Sequence, residues 1–174
     1  MRGRKFGVSN SGAGQRDVSS NEAGQSAPPD AYQKALELLV RREHSRRELG
    51  RKLVARGIDR DAADAAMDKL GAQGFQDEQR FADMLARTRA SGGHGPIRIR
   101  AELAMHGLAR EVIENALESC DRDWAESARE QISRRYSVAD LADPAKRRKA
   151  VEFLLRRGFE QALAYAAVKP LPED

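Results

Sequence analysis

A chain of 174 residues with only 5% aromatic and 33% charged residues cannot fill one thick core, so burial has to be shared among several thin layers. Its single cysteine, Cys120, excludes an intramolecular disulfide framework and points to a reducing, cytoplasmic setting; no apolar run approaches the roughly 20 residues that span a bilayer, and the start lacks the apolar core of a signal peptide. The net charge of +4, from 31 basic and 27 acidic residues, favours an anionic partner and makes the position of the charge more informative than its sum.

Residues 1–29 are rich in Gly, Ser, Asn and Gln with almost no periodic apolar residues. They cannot repay the entropy of ordering and read as a disordered leader, tinted basic by Arg2, Arg4, Lys5 and Arg16. From about Asp30 onward the text turns to Ala, Leu, Arg and Glu, with apolar residues three and four apart. Asp30 is placed as the N-cap of a helix through Ala35, Leu36, Leu39 and Val40. Ser45 starts the next helix, with Glu48 three residues on in a capping-box pattern, and Gly57 ends it as a C′ residue. Asp59 or Asp61 opens a third helix bearing Ala62, Ala63, Ala66, Met67 and Leu70, closed by the break from Gly71 to Gly74. The same succession follows: a helix from Asp77 through Phe81, Met84 and Leu85, one from Pro96, suited to a first turn, to Met105, and one through Val112, Ile113, Ala116 and Leu117. Another from Asp123 through Trp124, Ala128 and Ile132 opens a third round. No stretch reads as a strand.

The recurrence has a register. SRRELGRKLVARGI (45–58) and GPIRIRAELAMHGL (95–108) keep step when Gly57 is laid on Gly107, with Leu49 on Ile99, Leu53 on Leu103 and Ile58 on Leu108. PAKRRKAVEFLLRRGF (144–159) continues it, with Gly158 on Gly107, Leu154 on Leu103, and further on Leu163 on Val112 and Val168 on Leu117. Self-similarity at a period near 50 residues marks an array whose units pack mainly on their neighbours. The expected fold is all-α: three tandem three-helix repeats, over residues 30–73, 74–120 and 121–169, with a tail at 170–174, forming an elongated and curved array.

Charge follows the same register. The central helix of the first unit carries Arg46, Arg47, Arg51, Lys52 and Arg56 against Glu48, and that of the third carries Lys146, Arg147, Arg148, Lys149, Arg156 and Arg157 against Glu152. The middle copy has Arg98 and Arg100 against Glu102. The third helices lean acidic, with Asp59, Asp61, Asp64 and Asp68 in the first unit and Glu111, Glu114 and Glu118 in the second. Part of the basic excess can therefore pair inside a unit, each exposed pair contributing about 0–1 kcal/mol; the recurrence as a set lines one side of the array for a polyanion or an acidic groove.

Catalytic patterns are missing from the text. No GxxxxGK loop cradles a phosphate, and GGHG at 92–95 lacks the strand context of a dinucleotide turn. His44, His94 and His106 are too dispersed for a metal site and read as surface or turn histidines. Cys120 falls on Leu70 and reads as a small buried residue, while Tyr32, Phe81 and Trp124 read as packing anchors.

GFQDEQRFADMLARTRASGGHGPIRIRAELAMHGL at 74–108, preceded by SRRELGRKLVARGI, resembles the RecX family of bacterial recombination regulators. The family phrase F-x-D-E-x-x-F-A is matched by Phe75, Asp77, Glu78, Phe81 and Ala82, and R-I-x-x-E-L-x-x-x-G by Arg98, Ile99, Glu102, Leu103 and Gly107; His106 stands where a lysine is common. The resemblance covers about residues 30–169. It implies tandem three-helix repeats lying in the groove of the RecA recombinase filament on single-stranded DNA, suppressing its ATPase and strand exchange, and so restraining recombination and repair without an enzymatic site, cofactor, small-molecule substrate or membrane. On that reading Arg46, Arg47, Lys52, Arg56, Arg98, Arg100, Lys146, Arg147, Arg148, Lys149, Arg156 and Arg157 form most of the contact surface for RecA and DNA. The alternatives are a helix-turn-helix transcription factor, disfavoured by the acidic character of the would-be recognition helix, and a helical scaffold for other proteins.

Overall fold

The computed structural model describes residues 31–169; the predicted leader, the Asp30 cap and the tail at 170–174 lie outside them. Among the described residues there are ten helices and no strand. The first unit holds α1 (Ala31–Leu39), α2 (Arg46–Val54) and α3 (Arg60–Ala72); the second holds α4 (Glu78–Ser91), α5 (Pro96–Met105) and α6 (Arg110–Glu118). The third holds α7 (Trp124–Ser133), α8 (Val138–Ala142), α9 (Pro144–Arg156) and α10 (Gln161–Ala167).

Helix starts are set by short polar side chains that accept the first orphan amides. Ser45 accepts from Glu48 N, Asp59 from the amides of Asp61 and Ala62, Asp77 from Arg80 N, and Asp123 from the amides of Ala125 and Glu126. Ends are set by glycines in the left-handed region: Gly57, Gly107 and Gly158 lie at φ 81°, 82° and 86°. After α2 and α9 the amides of Gly57 and Gly158 return to Val54 O and Leu155 O, and the next amides to Leu53 O and Leu154 O, closing Schellman turns.

Two details depart from the sequence reading. Helix α3 runs through Gly71, the break coming only at Gly74 with φ 72°. The third unit contains the extra helix α8, whose capping box joins Ser137 and Asp140 and whose end is forced by Pro144 opening α9.

Extensive helix packing stays inside units: α1, α2 and α3 on one another, α4, α5 and α6 likewise, and α7, α9 and α10 with α8 against α9. Each unit accordingly closes its own core, around Leu53 and Leu70, around Phe81, Ile99 and Leu103, and around Ile132, Leu154 and Phe159. Trp124 is half-buried and packs against both the second and third cores, at their seam. Such units depend on what joins them.

Candidate functional site

The joints bring the three central helices end to end. Gly95 N donates to Arg157 O at 2.9 Å and Ile97 N to Gly158 O at 3.0 Å, so the last carbonyls of α9 satisfy the first donors of α5. That explains why α5 lacks a side-chain cap, and it joins opposite ends of two helix dipoles. Arg157 reaches back to Gly92 O at 3.0 Å and Gly93 O at 3.2 Å, its guanidinium 4.9 Å from the centre of the Phe153 ring. The GGHG turn is therefore a docking seat for the α9 turn. A Cβ on Gly95 would overlap the Gly158 carbonyl, and one on Gly158 would overlap Arg98.

The other joint repeats the geometry. The end of α5 meets the start of α2 through His106 Nδ1, 2.8 Å from Ser45 Oγ, and through Arg47 Nη1, which donates to Met105 O at 2.9 Å. Arg46 N donates to Glu78 Oε1 at 3.0 Å, and Arg80 Nε to Glu43 Oε1 at 2.8 Å. Behind this joint His44 is only 2% exposed and lies 3.0 Å from Glu48, which corrects its expected place on the surface. Glu48 also takes Arg42, and Lys52 at 2.9 Å, so its carboxylate faces these cations in a way the capping-box pattern did not anticipate. Burial pushes the Glu48 pKa up, but hydrogen bonds from Arg42, Lys52 and His44 prevail and hold it at about 2. Burial lowers the pKa of His44, His94 and His106 alike, opposed by Glu48 at His44 and reinforced by Arg98 and Arg157 at His94.

The basic residues singled out from the sequence divide in two. Arg47 and Arg157 hold the joints. Arg46 pairs with Asp68 at 2.6 Å, Arg100 is bidentate to Glu114 at 2.9 and 3.0 Å, and Lys52 is taken by Glu48. Lys146 pairs with Asp140 at 2.6 Å, Arg156 approaches Glu152 at 3.8 Å, and Arg147 Nη1 donates to Leu141 O at 3.4 Å. The side chains of Arg56, Arg98, Arg148 and Lys149 are exposed and make neither hydrogen bond nor ion pair among the described residues; that of Arg51, omitted from the sequence-derived set, belongs with them. Every unit thus offers at least one unengaged cation on its central helix.

A groove runs between central and third helix in each unit. The first, about 820 Å³, is lined by Arg46, Arg47, Arg51, Arg60 and Asp64 and extends to Glu78 and His106 of the second unit; burial pushes the Glu78 carboxyl up from its ordinary value. In the second, about 640 Å³, Arg100 and Arg110 face Glu114 and Glu118. The third, about 360 Å³, is lined by Arg147, Arg148, Val151, Tyr165, Val168 and Lys169 together with Pro144. No signal from the first two units would have marked Tyr165.

Three tandem family models match the chain: RecX, first three-helix domain, over residues 31–70; RecX, second three-helix domain, over 77–117; and RecX, third three-helix domain, over 121–168. The chain belongs to the RecX family. It is 53% identical over 142 residues to the regulatory protein RecX of Xanthomonas axonopodis pv. citri (strain 306), across 82% of this chain and 88% of that protein. To the regulatory protein RecX of Stenotrophomonas maltophilia (strain R551-3) it is 51% identical over 142 residues, across 82% and 87%. A crystal structure of a regulatory protein RecX shares the fold, with a TM-score of 0.64 at 21% identity over 76% of this chain and 67% of that one. The three RecX matches coincide with the three groups of helices whose central members meet end to end. Among the described residues no helix is long and apolar enough to cross a membrane.

Proposed function

We propose that this RecX-family protein is a cytoplasmic negative regulator of homologous recombination and repair, which binds the RecA filament on single-stranded DNA and lowers its ATPase and strand exchange. The observation that carries the reading is the end-to-end run of α2, α5 and α9, each presenting at least one unengaged cation. A periodic cationic array suits a periodic polyanionic filament, because several contacts form together and each adds to the same association. Residues 30–73, 74–120 and 121–169 act as three such contact units. Within the set, Arg56, Arg98, Arg148 and Lys149 with Arg51 make direct contacts, joined by Arg147, whose side chain is held among the described residues only by its 3.4 Å bond to Leu141 O; Arg46, Arg47, Lys52, Arg100, Lys146, Arg156 and Arg157 shape the surface that carries them. The protein works by occupancy and needs no catalytic group, cofactor or small-molecule substrate. The helix-turn-helix alternative fares worse: exposed Asp61, Asp64 and Asp68 on α3 would face DNA phosphates.

The test is RecA-driven strand exchange with Arg56→Ala, Arg98→Ala and Arg148→Ala combined. All three side chains are exposed, so the melting temperature stays put while inhibition weakens markedly and its salt dependence becomes shallower. Full inhibition by a folded triple variant would overturn the assignment of these contacts.

A further inference from the structure

The repeat register exposes one place where the third unit reverses the chemistry of the other two. Laying Gly57, Gly107 and Gly158 together aligns Asp61, Asp64 and Asp68 with Glu111, Glu114 and Glu118, and then with Ala162, Tyr165 and Lys169. On the central helices the same register puts Arg46 on Arg147 and Arg100 on Val151. In the first unit Arg46 is neutralised by Asp68; in the third the equivalent positions hold Arg147 and Lys169, two cations on one groove. In the second unit Arg100 is neutralised by Glu114; in the third the equivalent positions hold Val151 and Tyr165, an apolar wall with an aromatic ring.

The third groove therefore lacks the carboxylates that close the other two. Its lining has three cations, Arg147, Arg148 and Lys169, and no acid. Tyr165 is 52% exposed, and no hydrogen bond of its hydroxyl to a described residue is present. At about 360 Å³ the groove lies near the low end of the roughly 300–1,000 Å³ of small-ligand sites, room for one planar group and too little for a helix. Like charges placed where an ion pair belongs call for an anion between them, and an exposed aromatic beside them suits a stacked base. That is the combination by which proteins hold single strands without reading sequence.

We propose that the groove between α9 and α10 is a direct single-stranded DNA site, one base stacking on Tyr165 against Val151 while adjoining phosphates meet Arg147, Arg148 and Lys169. It deepens the filament reading and rests on it for the identity of the strand; binding to the groove is a property of this chain alone and is measured without RecA.

The experiment is fluorescence anisotropy of a labelled oligo-dT and of an abasic strand of equal length, with the full chain. Tyr165→Ala is expected to weaken oligo-dT binding at least about five-fold, the lower bound for one stacked base, and to leave abasic binding unchanged; Tyr165→Phe retains affinity. Lys169→Asp installs the carboxylate of the first unit opposite Arg147 and is expected to weaken both strands, lowering the salt slope by about 0.7 for one lost phosphate contact. Circular dichroism confirms that each variant folds. The proposal is overturned if the wild-type chain binds no single strand, or if Tyr165→Ala binds oligo-dT as wild type does. Loss of RecA inhibition with oligo-dT binding intact would make the groove a protein contact and overturn it as well. Loss of oligo-dT binding in a chain that never inhibited RecA would uphold the groove and reject the filament reading instead.

Discussion

Replacing Gly95 by alanine isolates the joint between the second and third units. Gly95 lies at φ −84° and ψ 167°, a conformation alanine adopts without strain, so the substitution acts only through its added methyl group. That methyl would overlap the Gly158 carbonyl and stand 2.5 Å from Phe159 N, both main-chain groups within a closed turn. The α9 turn must retreat, and with it go the bonds from Gly95 N and Ile97 N and the two from Arg157 to the carbonyls of Gly92 and Gly93. Four hydrogen bonds at about 0.5–1.5 kcal/mol each amount to about 2–6 kcal/mol of coupling. Because both units close their own cores, the loss falls on their docking more than on their folding. In urea, the wild-type chain is expected to unfold these units together and Gly95→Ala to separate them into two transitions, the third unit melting first; RecA inhibition falls because the end of α9 is no longer held against the start of α5. A single transition at the wild-type midpoint would refute the reasoning.

Gly57→Ala is the matching control: its φ of 81° is costly for alanine, but nothing lies within 4 Å of the new Cβ, so about 1 kcal/mol of stability is lost with the joints and RecA inhibition intact, as paired melting and ATPase curves would record. A pH titration of stability should show the joint histidines. Burial holds the pKa of His44, His94 and His106 below the ordinary 6.5, so the unfolded chain takes up protons first; stability is complete above that pH and declines as pH falls through and below it. Melting temperatures measured from pH 8 to pH 5 should fall, and His44→Gln should flatten the slope; a level profile in the wild-type chain would contradict the burial argument. Glu48, held at about 2 against an ordinary 4.5, works in a lower window: its contribution is present above 4.5 and is lost as pH falls towards 2, so Glu48→Gln should cost about 1–3 kcal/mol at neutral pH, read as a lowered urea midpoint.

Local chemistry was legible in the sequence wherever a signal and its consequence lie within one turn. Ser45, Asp59, Asp77 and Asp123 cap the helices they precede, Pro96 begins α5, and the three register glycines all adopt positive φ. The all-α repeat follows from those signals and the apolar period. What stayed hidden depends on residues far apart in the chain. The purpose of Gly92 to Gly95 is set by Arg157 and Gly158 across the joint, and a local reading could only say which motif the turn is not. His44 is buried in the loop before α2, where Gln76 of the second unit donates to its carbonyl, a neighbour that its own unit does not supply. Helix α8 was missed because five residues, Val138–Ala142, are too few for a period to register. The basic residues were found as a set, but which of them are unengaged was decided by Asp68, Glu114 and Asp140, partners that charge counting places in the unit without pairing.

The central claim is regulation of a filament by an array of cationic units, and titrating this protein into RecA ATPase on single-stranded DNA at two salt concentrations tests it most directly. The account predicts inhibition at substoichiometric ratios, weaker at the higher salt because exposed cations carry the contact. Undiminished ATPase at every ratio and both salts, with the chain folded, would contradict it.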